Sequence, residues 1–396
     1  MRTFHHALVE LRTHPFRAAL SLVSLCIGVL AVVAIFTVSE ISAGVFVASA
    51  EQADGRRVTM QGALVEPPAG EQAIEEMLQV GQAFDAAGGA SALAMTSTAV
   101  TGIQLADLAA RHEPHVQIPL VFTAGRYDAI RRLPVLEGTW IPDDARIAPT
   151  VVLNRPAARQ WGSAGSSLSI SVGRRLSFPA LVVGVVADGS PEPMGYVSLY
   201  PVATIFPHAL TEMSATLLLQ HPDAPPAAFD RIGQIAAGRA DTSLDANGMQ
   251  RTDTVDALVA SLRTQQEAFL VASALALLIA ALGILNIGLA TISERSRELV
   301  VRRAIGATRS AIVGQMLLSA LVLGLVGAAV SVAVAFVGVQ WWVPSQIPLE
   351  SAIDPPSVPW VAVACGVVAA MATTLFGATV PALVASRLDV ASVLRE

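Results

Sequence analysis

The sequence predicts a membrane protein: four transmembrane α-helices plus a large α+β extracytoplasmic domain of two subdomains. Three observations point there. Only 14% of the 396 residues are charged and the mean hydropathy is +0.59, the chain contains four long uncharged apolar runs, and the stretch between the first two has globular composition. Soluble domains carry about 25% charged residues, so the shortfall directs attention to lipid.

The first run, Ala18–Ser39, holds 22 residues without a charge; Ala268–Ser293 holds 26, Ser310–Leu349 holds 40 and Pro355–Ser386 holds 32. A bilayer-crossing helix needs about 20 apolar residues, so each is long enough. The run from Ala86 to Ala106 is different. Its strongly apolar positions are only Leu93, Met95, Val100, Ile103 and Leu105, among Ala, Gly, Ser, Thr and Gln, and it reads as soluble structure. The expected organisation is 1–17 cytoplasmic, 18–42 first span, 43–266 extracytoplasmic domain, 267–293 second span and 294–309 cytoplasmic segment. It continues with 310–342 third span, 343–357 short outer loop, 358–385 fourth span and 386–396 cytoplasmic tail.

Orientation follows from arginine. Arg2, Arg12 and Arg17 precede the first span, Arg295, Arg297, Arg302, Arg303 and Arg309 lie between the second and third, and Arg387 and Arg395 follow the fourth. The outer loop has no basic residue and carries Glu350 and Asp354. Basic residues near span ends prefer the cytoplasm, which puts both termini and 294–309 inside. Trp341, Trp342 and Trp360 flank the outer loop, where an aromatic belt belongs. Ala48-Ser49-Ala50 resembles a signal-peptidase site, but the preceding apolar core of 22 residues exceeds the usual ~7–15 of a signal peptide, so the first run reads as a span. Cys26 and Cys365 both fall inside spans, leaving the outer domain without a disulfide.

Within that domain, strands are expected at Thr150–Leu153, Ala180–Val186, Gly195–Tyr200 and Ala215–Leu219, and helices at Glu71–Ala87 and Pro226–Gly238. The mixture predicts α+β structure. No Gly-x-Ser-x-Gly, His-Glu-x-x-His or Cys-x-x-Cys is present, so no catalytic residue is nominated. His112, Glu113 and His115 read as a solvated loop around Pro114, not as a metal site.

The most informative stretch is Glu294–Arg309. It should continue the second span as an amphipathic helix, with Glu298 four residues ahead of Arg302, the favourable order for a helix pair. Gly306 can take a left-handed C′ conformation that ends this helix, and Thr308 can cap the next. Physics alone leaves two readings open: positive-inside charge with a tight turn, or a docking surface for a cytoplasmic partner.

The segment resembles the signature of the ABC permease family typified by the macrolide exporter and FtsX, which carries Glu-Arg-x-Arg-Glu and then Arg-x-Ile/Leu-Gly-Ala. The matching residues are Glu294, Arg295, Arg297 and Glu298, followed by Arg303-Ala304-Ile305-Gly306-Ala307. Residues 7–12 and 16–20 are similar to the family's N-terminal approach helix, and Pro381-Ala382, 385–389 and 393–396 to its C-terminal pattern. Leu136-Glu137-Gly138, residues 148–154 and Val182–Asp188 resemble its extracytoplasmic strands. Ser319 departs from a position where the family often has glutamate.

The resemblance implies a permease that couples ATP hydrolysis by a separate ATPase to motion of the outer domain, for export, in a bacterial inner membrane. The implied coupling residues are Glu294, Arg295, Arg297, Glu298, Arg302, Arg303, Gly306, Ala307 and Arg309. The implied partners are an ABC ATPase subunit carrying the ATP and Mg, a second permease copy or paralogue, membrane lipid and an extracytoplasmic adaptor; no nucleic acid, metal or cofactor is expected on this chain. All 25 basic residues are arginine, so the lysine of a phosphate-binding loop is missing and the chain is expected not to be an enzyme. A lipoprotein-release permease, an FtsX-like regulator of a cell-wall hydrolase and a membrane-anchored receptor are the alternatives. Two ladders of small residues on the third span, Ala320-Gly324-Ala328 and Gly327-Ser331-Ala335, are expected to support close helix packing and assembly.

Overall fold

The computed structural model describes residues 15–97, 101–105, 116–142, 147–173, 176–306, 308–345 and 357–387. In chain order it contains α1 (Pro15–Ala53), β1 (Thr59–Ala63), α2 (Glu71–Ala86), β2 (Ala90–Ser97), β3 (Thr101–Leu105), β4 (Val116–Gln117), β5 (Leu120–Gly125), α3 (Tyr127–Ile130) and β6 (Val135–Gly138). Then follow β7 (Thr150–Asn154), α4 (Arg155–Trp161), β8 (Ser167–Val172), β9 (Leu176–Val186), β10 (Gly195–Ser198), α5 (Leu199–Ile205), α6 (Pro207–Leu210), β11 (Met213–Gln220) and α7 (Pro226–Arg239). The chain closes with β12 (Gln250–Arg251), α8 (Val255–Ala304), α9 (Arg309–Trp341) and α10 (Trp360–Ser386).

Among the described residues, four helices are long and apolar enough to cross a membrane: Val23–Ala53, Val255–Ala290, Arg309–Ser345 and Trp360–Ser386. Two of them outrun their apolar cores. Helix α1 continues past Ser39 to Ala53, and α8 starts at Val255, ahead of the expected span at 267, and ends at Ala304.

The chain divides into two compact units, one holding the spans and one holding residues 44–259. In the second, the strands join a single sheet in the order β12-β1-β11-β2-β5-β10-β7-β9-β8-β3-β4, with β6 paired to β9. The two expected subdomains therefore share one hydrogen-bonded sheet. Two pairs are parallel, β5 with β10 and β7 with β9. The run 86–106 contributes β2 and β3, as its weak hydropathy requires.

The central strands are apolar on both faces, which explains their continuous hydrophobic runs. Side chains alternate across a strand. Val151 and Leu153 of β7 accordingly enter one core with Leu217 and Leu219 of β11, while Val152 and Leu218 enter another. The larger core is centred on Phe122, Leu93, Met95, Ile74, Met77 and Phe229; the smaller on Tyr127, Ile130, Tyr196 and Val186. The expected strand Gly195–Tyr200 is corrected at its end. It stops at Ser198, and Leu199–Ile205 is helical, with Leu199, Val202 and Ala203 buried at helical spacing. Pro201 has no N–H for a ladder, which disfavours strand continuation.

The span unit is assembled by close approach at glycine. A Cβ on Gly28 would lie 3.3 Å from Leu277 of α8, and one on Gly327 would lie 2.8 Å from Leu25 of α1. Gly324 faces Thr374 and Gly288 faces Pro381, each at 2.7 Å from that notional Cβ, and Gly377 would meet the Ala281 carbonyl at 2.8 Å. Small residues permit such approaches between membrane helices. Both ladders of α9 thus pack inside the chain, Gly324 towards α10 and Gly327 with Ser331 towards α1. Ser331 Oγ lies 2.8 Å from Gly327 O and 3.0 Å from Cys26 O.

Candidate coupling site

The turn between α8 and α9 is built from three local features. Helix α8 is unbroken through the charged stretch to Ala304, and Ile305 N–H still donates to Val301 O at 3.1 Å. Gly306 then takes φ +104°, the left-handed region that glycine occupies at little cost. Thr308 (φ −74°, ψ 157°) caps α9, its hydroxyl accepting from Ala311 N–H at 3.3 Å. Nothing lies within 4 Å of a Cβ built on Gly306, so glycine is required there by backbone conformation and not by crowding.

Ile305 and Arg309 flank this turn and are exposed, Ile305 at 81%. Ile292 of α8, Ile312 of α9 and Ala385 of α10 are buried together with Met316 packed against them, tying the three helices. The turn thus presents an exposed isoleucine and an exposed arginine at the junction of α8 and α9.

Gly306 and Arg309 are thus brought to one turn. The backbone of Glu294, Arg295, Arg297, Glu298, Arg302 and Arg303 is helical, but their side chains, and all of Ala307, lie outside the described residues. His112, Glu113 and His115 also lie outside them; among the described residues no cluster of His, Cys, Asp and Glu could hold a metal ion. Ser319, the departure from the family pattern, bonds back to its own helix at Gln315 O, 3.1 Å away.

Sequence reasoning missed a buried polar group in the sheet unit. Asn154, fully buried at the end of β7, donates its amide to Asp188 Oδ2 (3.1 Å) and Oδ1 (3.2 Å) and to Glu192 O (2.7 Å). Its Oδ1 accepts from the backbone N–H groups of Ala157 and Met194, both at 3.0 Å, capping α4 and pinning the 188–194 loop. Tyr196 donates its hydroxyl to Asp188 Oδ2 at 3.1 Å. Burial pushes the Asp188 carboxyl above its ordinary value, partly offset by Ser190 N–H, Asn154 and Tyr196. Burial pushes the Tyr196 phenol up as well, reinforced by the Asp188 charge. The group holds a loop; it presents no nucleophile or acid–base pair to solvent. Its sequence signal was Asn154 and Asp188 at the ends of two apolar strands.

The comparisons with known proteins agree with this architecture. Residues 18–254 match the family described as the MacB-like periplasmic core domain, and residues 270–390 match the FtsX-like permease C-terminal family. The macrolide export ATP-binding/permease protein MacB of Marinobacter nauticus is 26% identical over 279 residues, covering 67% of this chain and 42% of that protein. The uncharacterized ABC transporter permease YknZ of Bacillus subtilis is 33% identical over 123 residues, covering 31% of this chain and 29% of that protein. The chain thus spans less than half the length of these relatives. A crystal structure of the extracellular domain of the noncanonic ABC-type transporter YknZ matches at a TM-score of 0.30 and 16% identity, covering 48% of this chain and 97% of that one. With both family regions present and the first matching more than half of its length, the chain belongs to the MacB-type, FtsX-like family of ABC transporter permeases.

Proposed function

We propose that this chain is a permease subunit driven by a separate ATPase, and that Glu294–Arg309 is where the ATPase docks. One observation carries the reading: α8 is a single helix from Val255 to Ala304 that runs directly into the arginine-rich turn. At 1.5 Å per residue its 50 residues extend about 75 Å, more than twice the ~30 Å hydrocarbon core. A partner that pushes the turn at the exposed Ile305 would act directly on the end of α8.

In this reading the chain lies in a bacterial inner membrane with both termini and the 294–309 turn in the cytoplasm, paired with a second permease copy or paralogue and surrounded by lipid. The arginine distribution supports that orientation, and the exposure of Trp341, Trp342 and Trp360 suits an outer aromatic belt. ATP and Mg belong to the partner ATPase; the products of its work are outward movements of the sheet unit that drive export, with an extracytoplasmic adaptor as a further partner. Topology is tested by cysteine labelling of intact cells. A cysteine at Ser190 should react with an impermeant reagent and one at Ser296 should not; labelling of Ser296 would overturn the orientation.

Coupling is tested at Gly306. A β-branched residue at φ +104° is strained, so Gly306→Val should leave the protein inserted but reduce co-purified ATPase, or the ATP hydrolysis of the reconstituted complex, at least fivefold. Charge reversal at Glu298 together with Arg302 should do the same. Full binding and full hydrolysis in both variants would reduce the segment to a positive-inside loop.

A further inference from the structure

A second polar assembly lies where α1 ends and α8 begins, and neither family motif nor hydropathy pointed to it. The turn from α1 to β1 contains Gly55 at φ +102° and Val58 at φ +59°. A β-branched residue in the left-handed region is a genuine outlier, and such backbones persist only where the surroundings over-determine them. Here the surroundings are charged and directional. Thr254 Oγ1 donates to Asp54 Oδ2 at 3.0 Å, and Thr252 Oγ1 lies 3.3 Å from Asp54 O. Arg57 Nε meets Asp256 Oδ1 at 2.8 Å. Arg251 holds Asp253 with two parallel bonds, Nε to Oδ1 at 2.9 Å and Nη2 to Oδ2 at 2.8 Å, and also reaches Asp256 Oδ2 at 2.6 Å.

Asp253 is the fixed point. Its side chain is fully covered, and besides Arg251 it accepts the Thr59 N–H of β1 at 3.0 Å. One turn back in α1, Glu51 pairs with Arg132 at 3.3 Å and Gln52 Nε2 donates to Ala187 O at 2.9 Å. Residues separated by about 200 positions in sequence are thereby tied to each other, to the edge strand β12 and to its neighbour β1. Single exposed ion pairs contribute little to stability, and Arg57 and Asp256 are 67% and 43% exposed. The bidentate Arg251–Asp253 pair adds geometric constraint beyond its charge. Such a group fixes direction more than it stabilises.

We propose that Asp54, Arg57, Arg251, Asp253, Thr254 and Asp256 form a polar clasp that makes the outer ends of α1 and α8 one two-helix lever on the sheet edge. Movement of α8 then reaches β1 and β12 through both helices, and is not absorbed by the 54–58 turn. These are positioning residues; the proposal rests on the coupling route along α8 given above.

Hydrogen exchange of the full chain in detergent reads the clasp without any partner. Arg57→Gln with Asp256→Asn should raise exchange across 251–258 and 54–60 at least tenfold while β7 and β11 keep their protection. The milder Thr254→Val should raise it about threefold. Unchanged exchange in both variants would overturn the clasp, and so would loss of protection throughout the sheet in both, which would make these residues folding determinants. The functional arm uses the complex that co-purifies with the chain. The double variant should hydrolyse ATP within about twofold of the parent, while the ATP-dependent change in exchange across β1 and β12 falls at least fivefold. An undiminished ATP-dependent change would overturn the lever. Failure of the parent chain to co-purify any ATPase would refute the docking reading instead, and the partner-free exchange arm would still decide the clasp.

Discussion

The span unit and the sheet unit are held together by opposite means. In the sheet unit large side chains such as Phe122, Phe229, Leu93 and Ile74 are fully buried, and the backbone is satisfied strand to strand. In the span unit the contacts are made by absent side chains. Gly28, Gly288, Gly324, Gly327 and Gly377 let helices touch, and hydroxyls mostly bond back to their own helix, as Thr37 does to Val33 O (2.7 Å) and Thr374 to Ala370 O (2.8 Å). The difference follows from solvent. Water drives large apolar groups into a core, whereas lipid is as apolar as leucine and rewards only close packing. The sheet unit should therefore be most sensitive to loss of volume and the span unit to its addition.

The largest effect is expected where volume is removed from the sheet unit. Phe122 lies between β2 and β10, paired in register with Met95 and Val197. Phe122→Ala should cost about 4 kcal/mol, the usual range for a buried aromatic, read as lost hydrogen-exchange protection of β2, β5 and β10. A cost below about 1 kcal/mol would show that this core is not what holds the sheet.

Adding volume should hurt the span unit next. At Gly377 the nearest atom is a backbone carbonyl, that of Ala281, which cannot rotate away. Gly377→Leu should destabilise the detergent-solubilised protein by about 3 kcal/mol, at the upper end for overpacking. Gly314 is the control. Nothing lies within 4 Å of its Cβ position, and Gly314→Ala should be neutral or stabilising by up to about 1 kcal/mol. Equal effects at the two glycines, measured by thermal unfolding in detergent, would remove close approach as the organising feature of the spans.

What could be read in advance follows the same division. The spans were legible because hydropathy is a sum over neighbours, and the 304–309 turn was legible because Gly306 and Thr308 act within a few residues. The strands expected at Thr150–Leu153 and Ala215–Leu219 were visible as short apolar runs, and the helix after Ser198 was not, because its buried face is defined by the core it meets. The extension of α1 beyond residue 42 and of α8 before 267 is not legible in the sequence, because polar residues there break the apolar run without breaking the helix. The Asp253–Arg251–Asp256–Arg57 group and the Asn154–Asp188–Tyr196 group each join residues of separate elements; Asn154 and Asp188 stand out at the ends of apolar strands, but a single sequence does not say which residues pair.

The smallest expected loss of stability concerns a deeply buried carboxyl of the sheet unit, held by neutral donors. Asp188 accepts from Asn154, Tyr196 and Ser190 N–H, so Asp188→Asn replaces an acceptor by a group that also donates, at a cost of about 1–3 kcal/mol at neutral pH. Burial raises this carboxyl above the ordinary value of 3.8. The folded protein therefore holds the proton to higher pH than the unfolded chain does, and protons favour the folded state. The contribution is complete below the ordinary value and is lost as pH rises through the raised folded value. The stability difference between parent and Asp188→Asn should consequently grow as pH is lowered through that window, because other titrating groups cancel in the comparison. Thermal unfolding of both proteins in matched detergent at several pH values measures it. A difference that shrinks on acidification would mean that the donors around Asp188 outweigh its burial, and that this polar group is stabilised as an anion.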